Sequence, residues 1–433
     1  MISHKEKPTR RIPKSEKGEK TWKSLFESAQ RIFLEKGYHK TSVLAISKDA
    51  MVSPATFYQY FSSKNEIFEI ILETFQNEFF NLLSSIIHSE LTLEEKIKIL
   101  INRVFDTFWN FRYEYKVFRE AEFIDKKLCL DFHLKIKRIL EKKQEFNLHS
   151  KYPDPFFWFL FGPLFYIAGY WILWNNSEVP SETRETLLKF YLNGLSISNF
   201  NVEETVFSTL NQLNLDDENI LNKGEQSKKR LLNSAEILFG EKGYFETTVH
   251  EICKQSNLSA GAFYLYFPGK LNVLSELIKK TSKELRYVLK RYSERFSDRR
   301  NMEIASLKGF LEFFKKHSNM YGVVRESEFI DNKITLEYYD SLKKPYIKVL
   351  DHARGKEQIR NYDSETLSMI LMGIGHLLGQ SLLILSDKSA EKFENYLKPL
   401  SDLMMNGVSN NPSGNLLQNF HGLETENIKQ KKK

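Results

Sequence analysis

Cysteine is nearly absent: Cys129 and Cys253 are the only two in 433 residues. They offer neither a disulfide framework nor zinc-ligand spacing, and a reducing cytoplasm is the expected compartment. His133, His149, His317 and His376 stand apart, without metal-ligand spacing. There is no glycine-rich phosphate loop, and no serine–histidine–aspartate or cysteine–histidine grouping can be assembled. No cofactor, metal or covalent catalysis is therefore expected. Residues 1–24 contain no apolar core behind their charges, so a secretory leader is not expected either.

What is present is an ordinary globular composition, 41% hydrophobic and 27% charged, with a modest net charge of +7. At roughly 100–200 residues per domain, this length predicts two to four domains. Residues 1–23 carry eight Lys or Arg against three Glu, and the chain ends on Lys431-Lys432-Lys433. Arg10, Arg11, Lys14 and Lys17 suit an arm reaching phosphates or a minor groove, and equally a plain solvated tail.

Sliding the sequence against itself by 206 positions aligns Lys23–Phe68 with Lys229–Leu274 without a gap, and 19 of the 46 positions are identical. The same offset aligns Tyr115–Asp125 with Tyr321–Asp331 and places Gly169 on Gly375. A shift of seven then pairs Asn193-Gly194 with Asn406-Gly407. The duplication covers whole units of about 200 residues, within the range of a self-contained domain.

The repeated segment has helical periodicity. Leu25, Ala29, Ile32 and Phe33 share one face of a helix over about 23–36, which Gly37 stops. Thr41 or Ser42 caps a second helix whose buried face is Val43 and Ile46, and Ser53-Pro54 restarts a third. Ser63-Lys64-Asn65-Glu66 fits a capping box opening a longer helix. Leu231, Ala235, Leu238, Phe239, Gly243, Thr247 and Ser259 repeat the pattern. Short helices around a tight turn, followed by a long one, are the form of a helix-turn-helix.

The run Ser-x-x-x-Phe-Tyr-x-Tyr-Phe-x-x-Lys occurs at Ser53–Lys64 and again at Ser259–Lys270, each time after Gly-Tyr-x-x-Thr. It resembles the recognition-helix signature of the TetR/AcrR family. The resemblance implies an all-α fold of two tandem units, each a three-helix DNA-binding domain followed by a helical ligand and dimerisation domain. The expected bounds are an arm over 1–20, domains at 21–68 and 69–200, a linker over 201–226, domains at 227–274 and 275–408, and a tail over 409–433.

By the same resemblance Thr41, Tyr58, Tyr60 and Lys64 contact phosphates, with Thr247, Tyr264, Tyr266 and Lys270 in the second copy. Pro54, Ala55, Thr56 and Gln59 face base edges after the capping Ser53, as Ala260, Gly261, Ala262 and Leu265 do after Ser259. Gln59 suits adenine, whereas the second set offers only apolar contact such as a thymine methyl, so double-stranded DNA with two unlike half-sites is the expected partner. Phe57, Phe61, Phe263 and Phe267 are expected in the core.

Residues 70–200 and 276–408 read as helices. The repeated Arg119, Glu122, Arg325 and Glu328 suit an effector anchor or a coupling switch, and equally an ion-paired network, which is the preferred reading. Glu120 with Glu122, and Glu326 with Glu328, are the weakest candidates, as an acid–base pair. Phe156–Trp174 is a charge-free run of 19 residues, long enough to suggest a membrane span. Its counterpart at the same offset, Tyr362–Gln380, contains Asp363, Glu365, His376 and Gln380, which predicts packed helices and no membrane. The expected bundle joins 156–174 and 182–199 to 364–385 and 389–407 within one chain.

The expected function is a sequence-specific DNA-binding regulator, a ligand-responsive repressor with a small hydrophobic effector, and not an enzyme. It works as a monomeric pseudodimer or a homodimer. The alternative is a helical interaction protein that has lost DNA readout.

Overall fold

The computed structural model describes residues 13, 15–141, 154–208, 222–385 and 394–409. Arg10, Arg11, Lys14, His149, the tail and part of the linker lie outside them. Among the described residues every regular element is a helix. The first copy comprises α1 (Glu16–Lys36), α2 (Val43–Asp49), α3 (Pro54–Tyr60), α4 (Lys64–Ile87), α5 (Leu93–Asn110), α6 (Arg112–Ala121), α7 (Lys126–Glu141), α8 (Asp154–Ala168) and α9 (Ser181–Asn193). The second comprises α10 (Lys223–Lys242), α11 (Val249–Ser256), α12 (Ala260–Tyr266), α13 (Lys270–Ser293), α14 (Arg299–Lys316), α15 (Ser318–Ile330), α16 (Asn332–Gly355), α17 (Ser364–Gly379) and α18 (Glu394–Asn406).

Two compact units result. One spans residues 1–82 with 106–132, and the other 83–105 with 133–433, so the split does not follow the repeat boundary.

In the first unit, α1 begins earlier than its apolar face predicts. The Ser15 hydroxyl accepts from the Gly18 N–H, so Lys17 belongs to the first helical turn rather than to an arm. Leu25, Ala29, Ile32 and Phe33 are buried as expected. Gly37 ends the helix at φ 74°, its N–H donating to Phe33 O. Ser42, not Thr41, caps α2. Behind the head lies a phenylalanine-rich core: Phe108 stacks on Tyr115 at 4.4 Å, Phe118 meets Phe132 at 4.4 Å, and Phe75 touches Phe108 and Phe118. The chain breaks its helix just after the repeated Arg119, because α6 stops at Ala121 and α7 starts at Lys126.

In the second unit the core is different in kind. Thr281, Val324 and Tyr338 occupy the positions of Phe75, Phe118 and Phe132, and the buried Tyr338 hydroxyl has no hydrogen-bond partner. The helix α10 starts at Lys223 behind an Asn222–Glu225 capping box, so the second copy begins inside the expected linker. The stretch Phe200–Ser208 is docked rather than loose. The Phe200 N–H donates to Asn406 Oδ1 at 2.9 Å, Glu203 and Asn301 bond reciprocally at 3.1 and 2.6 Å, and Val206 and Phe207 are buried.

The same unit holds a bundle in which α8 packs on α9, α17 and α18, and α9 on α17 and α18. The approach is reciprocal. A Cβ on Gly162 would stand 2.6 Å from Gly373 O, and one on Gly373 would stand 2.6 Å from Gly162 O. Backbone bonds are exchanged the same way: Leu195 N–H to Met404 O (2.8 Å) and Ser196 N–H to Met405 O (2.9 Å), answered by Val408 N–H to Tyr191 O and Ser409 N–H to Leu192 O (both 2.9 Å). Mutual exchange of this kind is the signature of a two-fold, isologous contact.

It also corrects the repeat. Gly162 answers Gly373, an offset of 211, so Gly169 corresponds to Gln380, where each helix enters a π-helical turn (Gly169–Trp174 and Gln380–Ile384), and not to Gly375. The pairing of Gly194 with Gly407 is as expected. The composition argument against a membrane span also needs correction: Asp154–Trp174 and Ser364–Ile384 are both long and apolar enough to cross one. Their apolar surface is instead mostly buried inside the protein.

Candidate nucleic-acid interface

Both heads are built alike. In α3, Pro54 sits at the first helical position and the Ser53 hydroxyl accepts from the Thr56 N–H at 3.1 Å. In α12 the Ser259 hydroxyl accepts from the Ala262 N–H at 3.1 Å. The turn into each needs a positive φ, which Met51 (56°) and Asn257 (53°) adopt. Phe57 and Phe61, like Phe263 and Phe267, are sealed in the core, which fixes the opposite face outward.

On that outer face Ser53, Pro54, Ala55, Tyr58 and Gln59 are exposed, with Thr56 and Tyr60 half-buried. In the second head Ser259, Ala260, Gly261, Tyr264 and Leu265 are exposed, with Ala262 and Tyr266 half-buried. Tyr58 is 50% exposed, Tyr264 57% and Leu265 83%, large apolar surface that folding alone leaves uncovered. Two hydroxyls have local duties, since Ser53 Oγ and Thr56 Oγ1 bond to each other at 3.0 Å. Tyr60 and Tyr266 pass close to Gly18 and Gly224, where an added Cβ would stand 3.5 Å from each phenol oxygen.

Four expected phosphate contacts sit elsewhere. Thr41 (3% exposed) and Thr247 (1%) are buried, and their hydroxyls donate to Gly37 O at 2.7 Å and Gly243 O at 2.8 Å. The Lys64 ammonium donates to Tyr38 O (2.7 Å) and Thr41 O (2.9 Å) and lies 3.9 Å from the Tyr38 ring centre. Lys270 repeats this with Tyr244 O (2.5 Å), Thr247 O (2.6 Å) and the Tyr244 ring at 4.1 Å. Burial pushes both ammonium groups below the usual lysine range, opposed by Glu120 and Glu326. The family signature's Thr and Lys thus fasten the joint between the first two helices, instead of facing outward.

The carboxylates completing that joint are two that the sequence offered only as members of an acid–base pair. Glu120, in the last turn of α6, accepts the Tyr38 N–H with both oxygens at 2.8 Å. Glu326 on α15 accepts the Tyr244 N–H at 3.2 and 3.1 Å. Burial pushes each carboxyl up to about 7, while the amide and nearby lysines pull the other way. In this role neither faces a substrate as an acid–base pair would require. Of the residues nominated for coupling, Glu122 is buried, and Arg119, Arg325 and Glu328 are half-buried, with the Arg325 guanidinium 5.8 Å from the Tyr321 ring centre. Among the described residues no group of His, Cys, Asp and Glu could hold a metal ion.

Comparison with known proteins meets this geometry at the same places. Residues 25–71 and 231–277 each match the family described as bacterial regulatory proteins, tetR family. A helix-turn-helix transcriptional regulator of Bacillus subtilis, YuxN, is 41% identical over 54 residues, 12% of this chain and 19% of the relative. The fatty acid metabolism regulator protein of the same organism is 28% identical over 81 residues, 19% of this chain and 42% of the relative. The chain thus spans less than half the length of these curated relatives. Among solved structures, the fatty acid degradation regulator FadR of Bacillus halodurans is 16% identical with a TM-score of 0.39, covering 42% of this chain and 96% of that one. A transcriptional regulator of Aquifex aeolicus is 25% identical with a TM-score of 0.33, covering 41% and 96%. The chain thus carries two segments that match the tetR-family model, one in each copy of its internal repeat.

Proposed function

We propose that the chain is a sequence-specific DNA-binding transcriptional regulator in which α3 and α12 each read a major groove. The observation that carries this is the pair of seven-residue helices with Phe57 and Phe263 sealed inward and Tyr58, Gln59, Tyr264 and Leu265 turned to solvent. Exposed phenols and helix N-termini suit phosphate oxygens, and the exposed residues between them suit base edges. Gln59 and Leu265 hold equivalent positions with opposite chemistry, so the two half-sites differ.

The reciprocal packing of α8 and α17 supports a second element of the reading: one chain supplies the two-fold contact that a pair of chains would otherwise form, and acts as a monomeric pseudodimer. Repression, relieved by a small hydrophobic effector that the helical halves bind, is the regulatory mode, and the cytoplasm is where such a protein meets its DNA. Such an effector need only favour a conformation that binds DNA less well. No catalytic step belongs to it.

The test is binding to duplexes selected from random sequence. A bipartite site with unlike halves is expected, with affinity falling steeply as salt rises. Failure to enrich any sequence would instead favour a helical interaction protein without DNA readout.

A further inference from the structure

The two copies fill the cores behind their heads with different side chains. In the first, the ring of Phe75 on α4 lies 5.3 Å from Phe118 and 5.5 Å from Phe108. Phe132 on α7 packs on Phe79 (5.2 Å), Phe80 (5.0 Å) and Phe118 (4.4 Å). Phe75, Phe79, Phe118 and Phe132 are all buried, so this core is closed by its own rings. The helices of the second copy repeat the same starts: α4, α6 and α7 begin at Lys64, Arg112 and Lys126, and α13, α15 and α16 at Lys270, Ser318 and Asn332, 206 positions on. At that offset the four phenylalanines are answered by Thr281 and Leu285 on α13, Val324 on α15 and Tyr338 on α16. These four are buried too, and α13, α15 and α16 pack on one another.

Three rings are thereby withdrawn from the second core, and the fourth returns with a hydroxyl. The pair behind them is kept, since Phe314 meets Tyr321 at 4.8 Å as Phe108 meets Tyr115 at 4.4 Å. Phe310, at the place of Val104, adds one ring, but against Phe314 (5.1 Å), Tyr321 (5.7 Å) and His376 (5.9 Å). Tyr338 packs on Tyr339 at 5.2 Å. Packing does not require the Tyr338 hydroxyl, because Phe132 fills the same position in the first copy. It is nonetheless retained at a residue 2% exposed and without a protein partner, an arrangement that costs free energy unless something accepts its proton.

The surroundings narrow what that acceptor can be. Burial holds the phenol well above its usual range, so it is a donor throughout the physiological pH range, and the groups acting on it are the phenols of Tyr339 and Tyr321. Arg286, at the place of Phe80, is turned to Ser282 Oγ (3.1 Å) and the Ser341 carbonyl (3.4 Å). An anion beside Tyr338 would be buried without its own counter-charge, which favours a neutral acceptor.

We propose that the second copy alone binds a small, largely apolar molecule in the space that Phe75, Phe79 and Phe118 fill in the first, with the Tyr338 hydroxyl donating to an uncharged acceptor such as a ketone oxygen. One chain then takes one ligand although it carries two regulatory halves. This rests on the effector-binding reading and narrows it to one half, one equivalent and one chemical class.

The experiment is calorimetric titration of the full chain, without DNA, with two pairs of probes alike in shape but for a carbonyl: acetophenone with ethylbenzene, and benzophenone with diphenylmethane. Wild type is expected to bind one equivalent of a ketone. Tyr338→Phe should weaken that ketone about fivefold, the worth of one neutral hydrogen bond, and leave its hydrocarbon partner unchanged. Thr281→Phe, which restores the residue of the first copy, should abolish binding of both, and Val324→Phe is the second filling variant should the first not fold. Two equivalents per chain, or one that Tyr338→Phe and a folded filling variant both leave unchanged, overturns the proposal while the effector-binding reading stands. Absence of binding by all four probes overturns it as well. Since DNA takes no part in the titration, the DNA-binding reading is decided separately by duplex selection.

Discussion

Glu120 holds the backbone of Tyr38 across 82 positions of sequence, and Glu326 holds Tyr244 across the same separation in the second copy. A duplication that preserves a carboxylate-to-amide bond, its lysine and its glycine has preserved a working joint and not merely a core.

The joint gives stability a definite pH dependence. Both carboxyls are raised by burial from 4.5 to about 7, so between those values the folded chain binds more protons than the unfolded one. Stability from these groups is therefore greatest below about pH 4.5 and declines as pH rises to about 7. Denaturant unfolding of Glu120→Gln and Glu326→Gln should show a shallower decline over that window and no loss against wild type at pH 8. A marked loss at pH 8 would mean the carboxylates are structural struts.

The glycine crossing makes a second prediction. With a Cβ at Gly162 or Gly373 only 2.6 Å from a backbone oxygen, α8 and α17 must separate to admit one. Gly162→Ala or Gly373→Ala should cost about 1–3 kcal/mol, as overpacking does. Thermal unfolding checks it, and two melting temperatures equal to wild type would refute the close approach.

Tyr338 offers a test of opposite sign. Its hydroxyl is buried without a hydrogen-bond partner, and the equivalent position in the first copy is already Phe132. Removing an unsatisfied buried hydroxyl costs nothing and can stabilise. Tyr338→Phe should leave the melting temperature unchanged or higher, whereas a clear fall would show that the hydroxyl does have a partner.

The unlike reading surfaces make a fourth prediction. Gln59→Leu should relax preference in one half-site by about 1–3 kcal/mol while leaving the other intact. Leu265→Gln should alter only the second half. Binding of each variant to duplexes mutated in one half at a time would measure this, and equal losses in both halves would count against separate readers.

Much of the fold was legible because its signals are local. Gly37 and Gly243 stop their helices, Ser53 and Ser259 cap theirs, and Phe57 and Phe263 turn inward, each for reasons contained within a few residues. The joint was not legible, because its partners come from distant helices. Thr41 and Lys64 carry groups suited to phosphate, and only three-dimensional packing shows those groups engaged by Gly37, Tyr38 and Thr41 carbonyls. Glu120 was read from the sequence only as a weak acid–base candidate, with Arg119 and Glu122 nominated for coupling, for the same reason. The register of α8 against α17 failed differently: a constant offset of 206 carries Gly169 onto Gly375, whereas the offset of 211 that packing imposes follows from Gly162 lying against Gly373.

The most direct measurement is the mass of the protein–DNA complex on a selected duplex, by native mass spectrometry. One 51.1 kDa chain per duplex, protecting two unlike half-sites, is the predicted result. Two chains per duplex, each contributing the same head, would contradict the account.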